Sequence, residues 1–255
     1  METRWPSLLW VVRHGQSAGN VARDAAEAAG LETINLAWRD IDVPLSELGA
    51  AQSAALGEWF GQQPVDAQPQ VILASPYVRA EQTARLISQH SRLEHVTLRR
   101  DERLREKEFG ILDRLTKFGI EQQHAQLYEQ RTHVGKFYFR PPGGESWCDV
   151  ILRLRSLLEM VTREYAGQRV LIVAHQVIVN CMRYLIEQLD EKQILDIDRE
   201  ADVPNCAVTI YRALSAQEGR TDTAMKLLQA NFLAPLHEAH TPVTREPDAP
   251  TAPKP

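Results

Sequence analysis

The stretch SLLWVVRHGQSAGN, residues 7–20, decides the fold of this chain. Its opening run, Ser7 to Arg13, is short and mainly apolar, which predicts a strand that is buried on both faces. Arg13 and His14 then lead into a turn with two glycines and a helix. A cation and an imidazole at such a corner suit an anion, because the N-terminus of a helix offers free N–H groups and a partial positive charge.

The rest of the chain alternates short apolar runs with longer segments of helical period. Further strands are predicted at Val71 to Ala74, Val96 to Arg99, Arg169 to Ala174, Ala207 to Arg212 and Ala224 to Gln229. Helices are predicted from Ser146 to Tyr165, from near Ser46 and after Pro76. This alternation predicts an α/β fold, a three-layer α/β/α sandwich with a mainly parallel central sheet.

One main domain over residues 1–232 is expected, since the 255-residue chain contains no interior segment with the composition of a linker. The periodicity weakens from about residue 113 to 144, where aromatic residues mix with Lys and Arg. A helical lid insertion over the strand ends is predicted there. Six prolines and few apolar residues predict a Pro-rich disordered tail over residues 233–255.

The charge balance argues against several classes of partner. The 29 basic and 34 acidic residues are spread along the chain and give a formal charge of −5, so neither nucleic acid nor a membrane surface is expected to bind.

The apolar run Leu8 to Val12 is too short for a signal peptide or a membrane span. Cys148, Cys181 and Cys206 are odd in number, lack metal-ligand spacing and lie inside apolar segments, as free core thiols do, which favours a reducing, cytoplasmic location. The oligomeric state stays open, with a homodimer among the alternatives.

Polar donors also follow two of the later predicted strands. Arg79 falls in the first turn of the helix that comes after Ala74, and His175 directly follows the strand that ends at Ala174. If these strands are neighbours in a parallel sheet, both side chains converge with His14 on one crevice at its carboxyl edge. Such a group of donors would bind a phosphate dianion.

Several short motifs occur in an order that is similar to that of one known family. They are Arg13-His14-Gly15 with Asn20, Pro44 to Gly49, Ser75-Pro76 with Arg79 and Gln82 to Ala84, Leu104 to Glu106 with Gly110, Gly143 to Ser146, and Val173 to His175. Together they cover about residues 8–185 and resemble the histidine phosphatase (phosphoglycerate mutase-like) superfamily, its phosphatase branch in particular.

The resemblance implies a phosphatase that forms a phosphohistidine intermediate on His14 and needs neither metal nor cofactor. The second nitrogen of His14 would donate to a backbone carbonyl, which fixes one tautomer. The other catalytic residues would be Arg13, Arg79, His175 and Glu106. Additional phosphate contacts would be Asn20, Ser17 and Gln176. The last two residues fit helix caps equally well.

The identity of the general acid/base is open between two carboxylates. Glu106 and Glu108 lie two residues apart in one extended segment, and the spacing to Gly110 favours Glu106. That residue would protonate the leaving oxygen and then take a proton from the attacking water. Its pKa is expected above that of a free carboxyl, since partial burial beside a phosphate dianion disfavours the charged form.

Three other functions compete with this interpretation. Gly15 to Gly19 also matches the G-x-S-x-G turn of serine hydrolases, with Ser17 as nucleophile, but only one predicted strand precedes it. In a phosphoglycerate mutase, an arginine and a tyrosine would stand where this chain has Lys107 and Phe109, and the lid lacks the expected pair of adjacent arginines. A non-catalytic binder of phosphorylated ligands is the third alternative.

A small phosphorylated metabolite is the expected substrate, and its identity does not follow from the sequence. The segment Arg140 to Ser146 and the pair His175-Gln176 look like the fructose-2,6-bisphosphatase branch, yet Asn180 replaces the arginine expected five residues after the second histidine. Specificity is therefore expected to come from the lid. The candidate contacts there are Lys117, Lys136, Tyr138 and Arg140.

Overall fold

The central sheet has six strands in the part of the chain that the structure describes. The computed structural model describes residues 5–93, 96–214 and 224–245. The strands are β1 (Leu8–Arg13), β2 (Val71–Ala74), β3 (Thr97–Arg100), β4 (Arg169–Ala174), β5 (Val208–Ala213) and β6 (Met225–Phe232). Each strand begins within one residue of its predicted start, and β6 continues beyond its predicted end.

The order of the strands places three distant parts of the chain side by side. The order is β3-β2-β4-β1-β5-β6, and the four strands from β3 to β1 run parallel. Strands β5 and β6 pair antiparallel at the other side. Arg13 lies opposite Ala174, and Ala74 lies opposite Val173. The mainly parallel sheet is thus confirmed, and the carboxyl ends of β2, β4 and β1 form one continuous edge.

Helices cover both faces of the sheet. They are α1 (Ala18–Ala28), α2 (Glu47–Gln62), α3 (Val78–Ser91), α4 (Lys117–Gln123), α5 (Ala125–Val134), α6 (Trp147–Glu164), α7 (Gln176–Ile186), α8 (Glu191–Glu200) and α9 (Ala234–Glu238). Leu9 and Val11 of β1 pack with α6 and α7, whereas Trp10 and Val12 pack with α2 and α3. This alternation confirms the three-layer sandwich. None of these helices is both long enough and apolar enough to cross a bilayer.

The predicted insertion is helical and has a small core of its own. It contains α4 and α5, and its apolar cluster consists of Leu112, Leu115, Ile120 and Phe139. Two backbone hydrogen bonds attach it to the segment after α1: Ile34 N donates to Arg114 O over 2.8 Å, and Thr116 N donates to Glu32 O over 3.0 Å. The insertion is therefore tied to the loop that follows α1.

The prediction of a disordered tail from residue 233 is wrong as far as residue 245. Helix α9 begins at Ala234, and Leu236 is completely buried in the core beside α2. Val243 packs against the same cluster, and Asn205 N donates to Thr244 O over 3.0 Å. Two isolated apolar anchors among prolines produce no periodic pattern, which is why composition pointed to disorder. Residues 246–255 lie outside the described residues.

Helix α2 begins directly against the turn that follows β1. Ser46 N donates to the Gln16 carbonyl over 2.9 Å, and Ser46 Oγ caps the helix by accepting from Gly49 N over 3.0 Å. A Cβ atom on Gly49 would lie far inside van der Waals contact with the Gln16 carbonyl. Glycine at this position therefore allows α2 to support the backbone of the turn.

We expect Gly49→Ala to lower the free energy of unfolding by about 2 to 3 kcal/mol, because either the turn or the helix must move to admit the new methyl group. Chemical denaturation of the purified variant measures this. Gly19→Ala is the matched control, because its Cβ would meet side-chain atoms and no backbone, the nearest a methyl of Val43 at 3.2 Å. Equal stability of the two variants would contradict the proposed close contact.

Candidate active site

His14 is completely buried at the carboxyl end of β1, with its imidazole held in one orientation. Its Nδ1 lies 2.6 Å from the Gly15 carbonyl oxygen. Since a carbonyl oxygen only accepts, Nδ1 carries the proton of the neutral ring, and Nε2 carries the lone pair. His14 N also donates to Ala174 O over 2.9 Å, which joins this corner to β4. The contact is the one that the family resemblance implied for His14, whose role as nucleophile stays a prediction.

His175 meets His14 where the neighbouring strands end. The two ring centroids are 5.1 Å apart, and the ring planes are inclined by 65°. His175 Nε2 lies 2.8 Å from Ser75 Oγ, at the end of β2. Three strand ends thus bring these side chains into one buried group, as the parallel topology requires.

Both arginines of the predicted site are buried. Arg13 donates from Nη1 to the Val203 carbonyl over 2.5 Å. Arg79 donates from Nη1 to the Asp40 carbonyl over 2.6 Å and also lies 3.0 Å from Asp40 Oδ1. Its guanidinium is 4.9 Å from the centroid of the Tyr77 ring, which in turn is 5.1 Å from the His175 ring. Arg79 is therefore connected to the histidine pair through Tyr77, a residue that sequence reasoning passed over.

Burial separates the two candidate acids. Glu106 is only 1% exposed, and its Oε1 accepts from Lys107 N over 2.7 Å. Glu108 is exposed, and its Oε1 accepts from the Tyr77 hydroxyl over 3.0 Å. A buried carboxyl is the better candidate for a proton donor, because burial disfavours its charged form. The structure thus favours Glu106, and its role stays a prediction.

An ion pair between Arg153 of α6 and Glu145, which precedes the helix, holds the segment that carries Glu106. Arg153 donates to the Glu106 carbonyl over 3.2 Å and to the Arg103 carbonyl over 2.5 Å. It also pairs with both oxygens of Glu145, at 2.9 and 3.0 Å. Burial alone would raise the pKa of Glu145, but the hydrogen bonds and charge of Arg153 lower it below the usual value. The sequence analysis did not identify Arg153. The residue that could have pointed to it is Glu145 in the motif Gly143 to Ser146, because a buried carboxylate is normally paired with a cation.

Ser17 and Asn20 form the N-terminal cap of α1. Ser17 Oγ accepts from Asn20 N over 3.1 Å and donates to Asn20 Oδ1 over 2.9 Å. Because this hydroxyl gives its proton to an amide oxygen rather than to a histidine, the geometry does not favour a serine nucleophile. Gln176 opens α7 and donates from Nε2 to Asp202 Oδ1 over 2.8 Å. Phosphate contacts of these three residues stay predictions.

A cleft borders this group at Arg79, Ser17 and Asn20. Its walls come from α1, the loop before α2, α3 and the start of the lid. They include Ser17, Asn20, Arg23, Asp40, Arg79, Phe109, Asp113 and Arg114. Burial and the nearby carboxylate of Asp40 raise the pKa of Asp113. The cleft therefore carries acidic as well as basic groups.

The four candidate lid contacts are not among the residues that line this cleft. The Lys136 ammonium pairs with the Asp198 carboxylate and lies 5.2 Å from the centroid of a Trp147 ring. Lys117 lies 4.0 Å from Glu121, and Arg140 donates to the Gly144 carbonyl over 2.9 Å. Tyr138 is 54% exposed. Their contact with a substrate stays a prediction.

The family model described as histidine phosphatase superfamily, branch 1, matches residues 9–222. This chain is a member of the histidine phosphatase superfamily. The match spans β1 to the segment after β5, so it includes every residue of the site described above.

Proteins similar to this chain include mutases and phosphatases. A 2,3-bisphosphoglycerate-dependent phosphoglycerate mutase of Methylobacterium radiotolerans is 30% identical over 201 residues, 77% of this chain and 87% of the relative. The native structure of mycobacterial glucosyl-3-phosphoglycerate phosphatase is 26% identical, with a TM-score of 0.66 over 88% of this chain and 98% of that one. Its complex with VO3 is 25% identical, with a TM-score of 0.64 over 88% and 99%.

Lys107 places a buried ammonium group next to Glu106. The side chain is 8% exposed, and Nζ lies 4.2 Å from the centroid of the Phe109 ring. Burial and the positive charge of Arg131 lower its pKa to about 8, against the opposing charge of Glu106. The folded protein thus disfavours the charged form of Lys107, and this costs stability at neutral pH.

We expect Lys107→Met to be more stable than the unaltered protein at pH 7 and the difference to shrink between pH 8 and 10. A depressed lysine pKa means that the unfolded chain binds more protons in this range, so stability rises with pH. The change is up to about 3 kcal/mol. Urea denaturation of both proteins from pH 7 to 10 measures it. A difference that does not vary with pH would show that Lys107 titrates normally.

Proposed function

We propose that this member of the superfamily hydrolyses phosphomonoesters through a phosphohistidine on His14. The observation that carries the proposal is the fixed tautomer, which directs the lone pair of Nε2 away from the Gly15 carbonyl. In the first step Nε2 attacks phosphorus, the N–P bond forms and the ester P–O bond breaks. Glu106 gives its proton to the leaving oxygen.

The second step returns the enzyme to its starting state. A water molecule attacks phosphorus, the N–P bond breaks, and Glu106 takes the proton of the water. Arg13, Arg79 and His175 stabilise the oxygens of the transferring group in both steps. Each close pair of unit charges is worth roughly 4 kcal/mol at an effective dielectric near 20, before desolvation is subtracted. This scheme has no step that uses a metal or a cofactor.

Hydrolysis is preferred over mutase chemistry because of the groups around the acid. Lys107 and Phe109 stand where the mutase pattern has an arginine and a tyrosine, and a lysine cannot make the planar two-point contact with a carboxylate. In the lid, Lys136 is already paired with Asp198. The likeness to a mycobacterial phosphatase supports this choice. The 30% identity with a phosphoglycerate mutase keeps mutase activity as the second candidate.

The proposed substrate is a small phosphorylated metabolite. The cleft that leads to Arg79 has walls from the lid and from three other segments, so the lid start at Asp113 and Arg114 contributes to selection. Contacts from Lys117, Lys136, Tyr138 or Arg140 would require substrates that extend beyond this cleft.

We expect His14→Ala to abolish phosphatase activity and Glu106→Gln to lower kcat by about 100-fold to 1000-fold, because the first removes the nucleophile and the second the proton donor. Glu108→Gln is the matched control and keeps kcat within about threefold, since that carboxylate is exposed and only bonds Tyr77. The measurement is a screen of sugar phosphates, phosphoglycerates, nucleotides and phosphopeptides, carried out with EDTA present.

The same screen separates the alternatives. Mutase activity appears as interconversion of phosphoglycerates without release of phosphate. Label from a phosphorylated substrate on His14 is expected to be acid-labile, and label on Ser17 would overturn the mechanism. A protein that binds phosphate but releases none from any substrate between pH 5 and 8 would be a non-catalytic binder, contrary to the proposal.

A further inference from the structure

The chain returns to the site after β6 and α9. We propose that residues 241–245, the C-terminal strap, position the phosphate loop, residues 14–17, for catalysis. The inference rests on the proposed function for its kinetic consequence, but its structural part stands on a separate set of hydrogen bonds. Two buried carboxamides connect the strap to the loop, and one hydroxyl of the strap joins them.

The first carboxamide belongs to Asn205, which is completely buried. Its Nδ2 donates to the carbonyl of His14 over 3.0 Å, and its Oδ1 accepts from Thr244 Oγ1 over 2.9 Å. The Asn205 N–H also donates to the Thr244 carbonyl over 3.0 Å. Since a carbonyl needs a donor, the orientation of the carboxamide is fixed at the His14 end. The backbone of the nucleophile is thereby held from the strap.

The second carboxamide belongs to Gln52 of α2, which is also completely buried. Its Oε1 accepts from the Gln16 N–H over 2.9 Å. Its Nε2 donates to the Pro242 carbonyl over 2.9 Å and to Thr244 Oγ1 over 3.0 Å. The Gln16 N–H fixes the orientation of the Gln52 carboxamide, because a backbone N–H needs an acceptor and only Oε1 can accept.

The hydroxyl of Thr244 is the one atom that belongs to both connections. It accepts from Gln52 and donates to Asn205, so its single proton and one lone pair are both used. Only serine could replace threonine here without loss of either bond. Valine has nearly the same shape but leaves the buried Asn205 oxygen without this donor, which is costly inside a protein.

The strap is itself anchored, so it can act as a support. Leu236 of α9 is completely buried, and Val243 packs against the same apolar cluster, which also contains Leu56 of α2. A support that fixes the His14 carbonyl and the Gln16 N–H controls where Nε2 of the imidazole lies. Small displacements of a reacting group cost large factors in rate.

The test compares Thr244→Val, Thr244→Ser and Thr241→Val in the full-length protein. Thr241→Val is the matched control, because Thr241 Oγ lies in the strap but contacts only the Ala239 carbonyl, at 3.5 Å. With p-nitrophenyl phosphate as substrate, Thr244→Val is expected to lower kcat about tenfold and to change KM less than about twofold. Thr244→Ser and Thr241→Val should behave like the unaltered protein. A second readout, hydrogen exchange of the Gln16 amide, should become faster in Thr244→Val alone.

An unchanged kcat, or an unchanged exchange rate, in Thr244→Val would overturn the inference, as would an equal effect of the Thr241→Val control. If the unaltered protein hydrolyses no phosphomonoester, the proposed function fails, and the exchange rates alone decide whether the strap holds the loop. If Thr244→Val does not fold, Thr244→Ala replaces it. That change removes the same hydroxyl with a smaller side chain, and the same drop in kcat is expected.

Discussion

The hydrogen bond between Nδ1 of His14 and the carbonyl of the next residue, at 2.6 Å, is the constraint on which the site depends. An imidazole has two nitrogens, and only the one without a proton can form a bond to phosphorus. The short bond to Gly15 decides which nitrogen this is and also which way the ring points. No other side chain is needed to fix the tautomer, because donor and acceptor are neighbours in sequence.

That local bond is useful only because the fold holds its backbone still and brings charges around it. Parallel pairing of β1 with β4, and of β4 with β2, sets the His14 and His175 rings 5.1 Å apart. Arg13 and Arg79 are buried at the same edge, where carbonyl oxygens of Val203 and Asp40 accept from them. In the proposed mechanism these buried charges would bind the phosphoryl group with little reorganisation.

The parts of this arrangement that follow from adjacent residues could be predicted from the sequence. The strand ending in Arg13 and the helix after the turn both depend on neighbours within a few positions, whereas the tautomer of His14 was implied by the family resemblance. The network of Arg153 with Glu145 could not be predicted, because it also reaches the carbonyl of Arg103, which is 50 residues away in the chain. The ordered segment after residue 233 also could not be predicted, because Pro242 and Thr244 bond to Gln52 and Asn205, which lie far away in sequence.

Local and long-range contacts have different roles in this fold. Short-range bonds set the chemistry of single groups, such as the cap that Ser17 forms with Asn20. Long-range contacts set the distances between groups, as the close approach of Gly49 to Gln16 does.

The most direct test of His14 as the nucleophile is a crystal structure of the protein with vanadate, an analogue of the transition state. Vanadium bonded to Nε2 of His14, with Arg13 and Arg79 on its oxygens, is the predicted result; vanadium bonded to Ser17, or to neither residue, would contradict it.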